Sequence, residues 1–235
     1  MTESGPGADV SFVARNCAQV RSAIRQACLD AGRGEDEVRL LPVSKTHPAE
    51  LVEAAMGAGC TSFGENRVQE MAAKAEQVPA ARWVLIGHLQ RNKVGLACSV
   101  MNELQSLDSL GLALALQRRL DLVGGEDRLR VLVEVNTSGE STKTGIAPDQ
   151  VMDFTHALGA YPHLDPVGLM TVAHPDPVLA AQGFSLLSDL RSRLRDRDGQ
   201  GWAELSMGMS GDFRSAIAHG STCVRIGTAI FGQRA

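Results

Sequence analysis

The chain has 235 residues, 44% of them hydrophobic and 21% charged, with a formal net charge of -4. That length suits a single α/β barrel, and the acidic balance excludes a broad nucleic-acid-binding face. Five cysteines, Cys17, Cys28, Cys60, Cys98 and Cys223, form no CxxC pair and no metal-ligand spacing, which reads as reduced thiols of a cytoplasmic protein rather than a disulfide framework or metal centre.

The opening MTESGPGADV carries neither a basic nor an apolar leader segment, and no later run approaches a membrane span. Residues 1–8 are expected to be disordered, and 9–235 to form one domain. Phe12, Val13, Val20, Ile24, Cys28 and Leu29 recur at helical spacing until Gly32 and Gly34, predicting a leading helix over 9–31. From there, β-rich runs alternate with amphipathic stretches, the pattern of βα units in a parallel sheet. Strands are predicted at 38–44, 60–64, 82–88, 100–106, 129–136, 165–172, 203–207 and 222–227. Helices are predicted at 48–58, 65–77, 90–97, 108–122, 148–159, 177–197 and 211–219, with a short one after Gly227. Pro48 and Pro148 stand where a first helical turn tolerates a missing amide hydrogen, and Asp108 reads as an N-cap. Eight strands with short connections favour an α/β fold of the (β/α)8 barrel type, with a right-handed path and an extra leading helix. Periodicity does not report closure, so an open doubly wound sheet is the alternative.

In such folds the chemistry sits at the carboxyl ends of the strands. The first strand ends at Lys45, in LLPVSKTHP. Of the other three lysines, Lys74 falls in mid-helix, Lys93 in the polar opening of a helix and Lys143 in a loop. Lys45 alone has the position of an amine that condenses with an aldehyde, and the alternative is a lysine snorkelling at a strand end. The loops after strands 7 and 8, SMGMSGDF and VRIGTAIFG, offer Ser210, Gly227 and Thr228 as hydroxyls and amides for a phosphate. Arg225 alternates with Val224 and Ile226, so it points into the barrel if those two face the helices, where it meets either a ligand or a carboxylate such as Glu134. An inward lysine, an inward arginine and a phosphate cup match the aldehyde, ring nitrogen and phosphate of pyridoxal 5'-phosphate (PLP). Asn66 is read as a cofactor contact or a helix cap, His88 as a polar wall residue, and Asn136 with Lys143 as a loop over the same mouth.

The segments LPVSKTHP, FGENRVQE, IGHLQRNKV, LMTVAHP and LSMGMSGDFRSAIAHGSTCVRIGTAIFG together resemble the pyridoxal phosphate homeostasis protein family, single-domain relatives of the amino-terminal barrel of alanine racemase. The resemblance implies that Lys45 forms the Schiff base and Arg225 faces the ring nitrogen. It implies that Ser210, Gly227 and Thr228 hold the phosphate, with Met207 and Asn66 lining the site. Two departures, Val84 where a histidine is expected and the loop TSGESTKTG, fall outside the lysine and the phosphate cup.

Three readings follow. The resemblance implies a non-catalytic PLP carrier serving vitamin B6 homeostasis, with PLP-dependent apoenzymes as acceptors. The charge balance and the lack of a membrane span leave no nucleic acid or membrane partner expected, and without an apolar stripe that demands a partner a monomer is expected. A PLP-dependent racemase needs a second base, which related enzymes take from a tyrosine of a further domain. This chain stops after the barrel, and its one tyrosine, Tyr161, lies on the loop entering strand 6, at the opposite end. A Schiff-base aldolase acting on a sugar phosphate is the third reading, with Glu65 as its acid–base group.

Overall fold

The computed structural model of the chain describes residues 10–124, 127–140, 143–199 and 201–233. The stretch 1–8, expected to be disordered, lies outside the described residues. Helix α1 (Ser11–Asp30) precedes eight parallel strands: β1 (Arg39–Pro42), β2 (Ser62–Glu65), β3 (Arg82–Leu85), β4 (Met101–Leu107), β5 (Leu129–Glu134), β6 (Leu164–Met170), β7 (Glu204–Ser206) and β8 (Cys223–Ile226). They lie in the order β1-β8-β7-β6-β5-β4-β3-β2. The two ends of that order meet where Val43 bridges Gly64, and Ser44 N donates to Gly64 O at 3.1 Å. The sheet is therefore a nearly closed barrel rather than an open one. Every expected strand forms, trimmed by one to three residues at most ends.

Around it run α2 (Ala49–Gly57), α3 (Val68–Gln77), α4 (Val94–Cys98), α5 (Leu110–Val123), α6 (Val151–Ala157), α7 (Pro177–Asp198), α8 (Phe213–Ala218) and α9 (Thr228–Phe231). Apolar residues on their inner faces, among them Val52, Met71, Leu112, Leu116, Phe184 and Leu187, meet Phe63, Leu85, Leu104, Val133, Leu169 and Val224 of the strands in one buried layer. Burial of that layer drives the fold. α1 packs on α2, α8 and α9 and so covers one side of the barrel. Among the described residues no helix is long and apolar enough to cross a membrane.

Two local expectations change. The N-cap of α5 is Ser109, whose hydroxyl accepts from Leu112 N at 3.3 Å, because the chain stays extended through Ser109 and turns helical only at Leu110. Asp108 instead accepts the His88 imidazole, Nδ1 to Oδ2 at 2.8 Å. Pro48 is the N-cap of α2 rather than a residue of its first turn, whereas Pro148 opens a 3-10 turn leading into α6.

The inner face of the barrel is polar at its amino-terminal end. Arg39 pairs with both Glu103 and Glu204, and Arg130 with Glu204. Leu41, Val84 and Cys223 form a small apolar layer above them, with Ile86 packed against it. Side chains thus fill the interior, and the open chemistry is left to the carboxyl-terminal mouth.

Candidate active site

Lys45 leaves β1 through a tight turn. His47 N donates to Ser44 O at 3.0 Å, and Thr46 sits at φ 66°, the left-handed third position of a type II turn. A β-branched residue is strained there by about 1–3 kcal/mol, so the surroundings must hold the turn in place. They do so through α3: Thr46 N donates to the Glu70 carboxylate, and Lys74 Nζ donates to Ser44 O at 2.7 Å.

Lys74 is thus more than the mid-helix lysine expected from its spacing. It is buried, with Nζ 2.6 Å from Glu65 Oε1 and 2.7 Å from a Glu70 oxygen. Glu65 is fully buried behind the β1–β2 seam and also accepts the Ser44 hydroxyl at 2.6 Å. Burial pushes its carboxyl above the usual range, opposed by the hydrogen bonds from Lys74 and Ser44. So enclosed, Glu65 does not line the cavity beside Lys45, which removes the acid–base group of the aldolase reading.

On β8, Val224 and Ile226 join the layer under the helices while Cys223 faces the barrel interior. Arg225 therefore points inward. It is 4% exposed, its Nη1 donates to Ser206 O and Oγ, each at 2.7 Å, and its Nη2 donates to Thr171 O at 2.7 Å. The expected alternative, an ion pair with Glu134, does not form among the described residues: Glu134 accepts from Thr144 Oγ1 at 2.7 Å. Burial lowers the pKa of Arg225, and the carboxylates of Glu134 and Asp212 oppose that pull.

The β7–α8 loop is shaped by Gly208, at φ 96°, where an added Cβ would stand 2.6 Å from the Ala216 Cβ. Only glycine lets the loop lie so close on α8. Met209 N is taken by Asp212 Oδ1 at 2.6 Å. By contrast, among the described residues the amides of Ser210, Gly211, Gly227 and Thr228 donate to no protein acceptor.

These parts converge. A cavity of about 230 Å³ is lined by Lys45, Arg225, Ser210, Gly227 and Thr228, all read from the sequence, and by Val43, His47, Ile86, Met209 and Gly211, which were not. His47 and Met209 carried no alternation signal, because each follows a residue of positive φ, Thr46 and Gly208, that breaks the extended run. Two expected residues stand elsewhere. Met207 is fully buried in the apolar layer under the helices, because it continues the Leu205 face of β7, and Gly208 at φ 96° breaks the alternation before Met209. Asn66 contributes its backbone, which passes so close to Gly87 that a Cβ there would meet Asn66 O at 2.3 Å. Neither does its side chain cap α3, whose N-cap is Arg67. Lys143 pairs with Glu140 at 3.1 Å and lines a neighbouring cavity of about 770 Å³ that shares the Met209–Gly211 wall.

The chain matches the family described as alanine racemase, N-terminal domain, over residues 13–235. The pyridoxal phosphate homeostasis protein of Vibrio cholerae is 40% identical to it over 232 residues, covering 94% of this chain and 96% of the relative. The chain belongs to the pyridoxal phosphate homeostasis protein family. The human homeostasis protein is 41% identical over 211 residues, 83% of this chain and 76% of its own length. Among solved structures, PipY of Synechococcus elongatus with PLP bound is similar at a TM-score of 0.82 and 31% identity, covering 94% of this chain and all of that one. Membership of the homeostasis protein family thus extends over nearly the whole described barrel, including β1, β7 and β8, which carry the cavity.

Proposed function

We propose that this chain binds PLP through a Schiff base on Lys45 and serves PLP homeostasis and supply as a carrier, not as a dedicated enzyme. One observation carries the reading: one small cavity is lined by an amine, a buried guanidinium without a carboxylate partner among the described residues, and four residues whose amides donate to no protein acceptor. Those groups fit the cofactor's aldehyde, ring nitrogen and phosphate. PLP supplies an aldehyde that condenses reversibly with amines. In this reading Lys45 provides the amine and Arg225 presents a fixed cation to the ring nitrogen, keeping that nitrogen unprotonated. The amides and hydroxyls of Ser210, Gly227 and Thr228 receive the phosphate. PipY, solved with PLP bound, and the relatives named for PLP homeostasis support it.

The carrier reading is supported by what stands near the cavity. Tyr161, the sole tyrosine, precedes β6 at the amino-terminal end of the barrel, away from Lys45. A cation opposite the ring nitrogen also weakens the cofactor as an electron sink. Cytoplasmic residence, a monomeric state and PLP-dependent apoenzymes as acceptors belong to the same proposal, and five free cysteines are consistent with a reducing compartment.

The test is spectroscopic. Freshly purified protein should be yellow, and borohydride should bleach the band and leave a pyridoxyl label on the Lys45 peptide. Lys45→Ala should stay folded and lose that label completely. A label that persists on Lys143 would reassign the amine, and a protein that remains colourless with added PLP would refute the cofactor.

A further inference from the structure

A chain of buried polar side chains crosses the barrel from the cavity to the ion pairs at its far end. Arg225 Nη1 donates to Ser206 Oγ at 2.7 Å, Ser206 Oγ donates to Gln105 Oε1 at 2.6 Å, and Gln105 Nε2 donates to Glu103 Oε1 at 2.7 Å. Glu103 is in turn held by Arg39. Arg225 and Glu103 are 4% and 5% exposed, and Ser206 and Gln105 are wholly buried. No member has water to turn to, so each depends on its protein partners.

The direction of this chain is fixed by its ends. A guanidinium only donates and a carboxylate only accepts. The Gln105 amide must therefore turn its nitrogen to Glu103 and its oxygen to Ser206, and the Ser206 hydrogen must point at Gln105, leaving lone pairs for Arg225. Starting from either end gives the same polarity. A hydroxyl so locked is an oriented acceptor, whereas one free to rotate competes with its own hydrogen for the guanidinium.

We propose that Ser206 and Gln105 are positioning residues for Arg225, fixing its guanidinium at the cavity through a one-way hydrogen-bond chain anchored on Glu103. The proposal rests on the PLP reading only for its consequence, the orientation of Arg225 toward the ring nitrogen. The chain itself belongs to the barrel. It accounts for a neutral glutamine and a serine in an interior layer that apolar side chains would otherwise fill.

Nuclear magnetic resonance of the full-length chain, labelled with nitrogen-15 and without added ligand, tests the chain directly. The Arg225 guanidinium signals are assigned by their loss in Arg225→Lys. Gln105→Met keeps the side chain's length and removes both hydrogen bonds. It should speed exchange of the Arg225 guanidinium hydrogens by about tenfold, the equivalent of one lost net hydrogen bond. Ser206→Ala should do the same, and the double variant should add little because both cut one chain. Ser206→Thr, which keeps the hydroxyl, should retain slow exchange if it folds. Leu132→Val, on the inner face of β5 but outside the chain, should lower the melting temperature without moving the Arg225 signals. In the same variants PLP retention should fall by about three- to tenfold. Unchanged Arg225 exchange in folded Gln105→Met and Ser206→Ala would overturn the proposal. If the wild type takes up no PLP while the exchange rates still respond, the cofactor reading fails and the positioning chain stands.

Discussion

At the scale of single residues, Lys45 depends on a lysine that never reaches the cavity. Lys74 bonds the carbonyl just before Lys45 and neutralises Glu65 and Glu70, while Glu70 holds the amide just after it. Removing one partner from a buried ion cluster strands the other charges, so Lys74→Met is expected to destabilise the fold by about 3–5 kcal/mol. The dependence on pH follows from Glu65, whose carboxyl is raised by burial. For a carboxyl raised in the folded state, the cost of ionisation is absent below its unfolded pKa and complete above its folded pKa. The Lys74→Met penalty should therefore be largest at neutral pH and shrink as the pH falls toward the ordinary carboxylate range. Urea denaturation of both proteins across that range measures it; a penalty that grows on acidification would contradict the assignment. Lys74 also marks a limit of sequence reading. Four residues after Glu70, it has the spacing of an ordinary surface pair along a helix, and only its contacts with Glu65 and the Ser44 carbonyl at the β1–β2 seam mark it as buried.

At the scale of elements, the boundary of α5 shows what periodicity carries and what it does not. The apolar spacing over 108–122 announced the helix, yet Asp108 and Ser109 are both good caps, and the choice depends on where the chain stops being extended. His88 settles it by engaging Asp108, a contact between two strand ends that no local pattern encodes. Ser109→Ala is accordingly expected to cost about 1 kcal/mol through the lost cap. Asp108→Asn should leave α5 intact. Thermal unfolding separates the two, and equal losses would argue against Ser109 as the cap. The candidate site divides along the same line. Lys45, Ser210, Arg225, Gly227 and Thr228 were legible because strand alternation and loop glycines are local signals. Met207 was assigned through resemblance and Asn66 also from its place after β2, and neither lines the cavity that holds Lys45.

At the scale of the whole molecule, the eight strands were legible as alternating β-rich and amphipathic stretches, but closure was not. Among the described residues it depends on one bridge, Val43 to Gly64, at the end of two four-residue strands. β5, by contrast, is paired along its whole length with β6 and also with β4. Hydrogen exchange of the ligand-free chain should therefore show Ser44 and Thr46 exchanging well before Val131 and Val133. Uniform protection around the barrel would mean that the seam is as strong as the ladders. The same seam bears on how the molecule keeps to itself. When it parts, β1 and β2 become edge strands, and unpaired edges are templates on which a neighbouring chain can add a strand. Here both edges are short, and the joint between them carries Lys74, Glu65 and Glu70. Charges at an edge oppose strand addition, so the ionic joint that seats Lys45 also guards the opened barrel against aggregation.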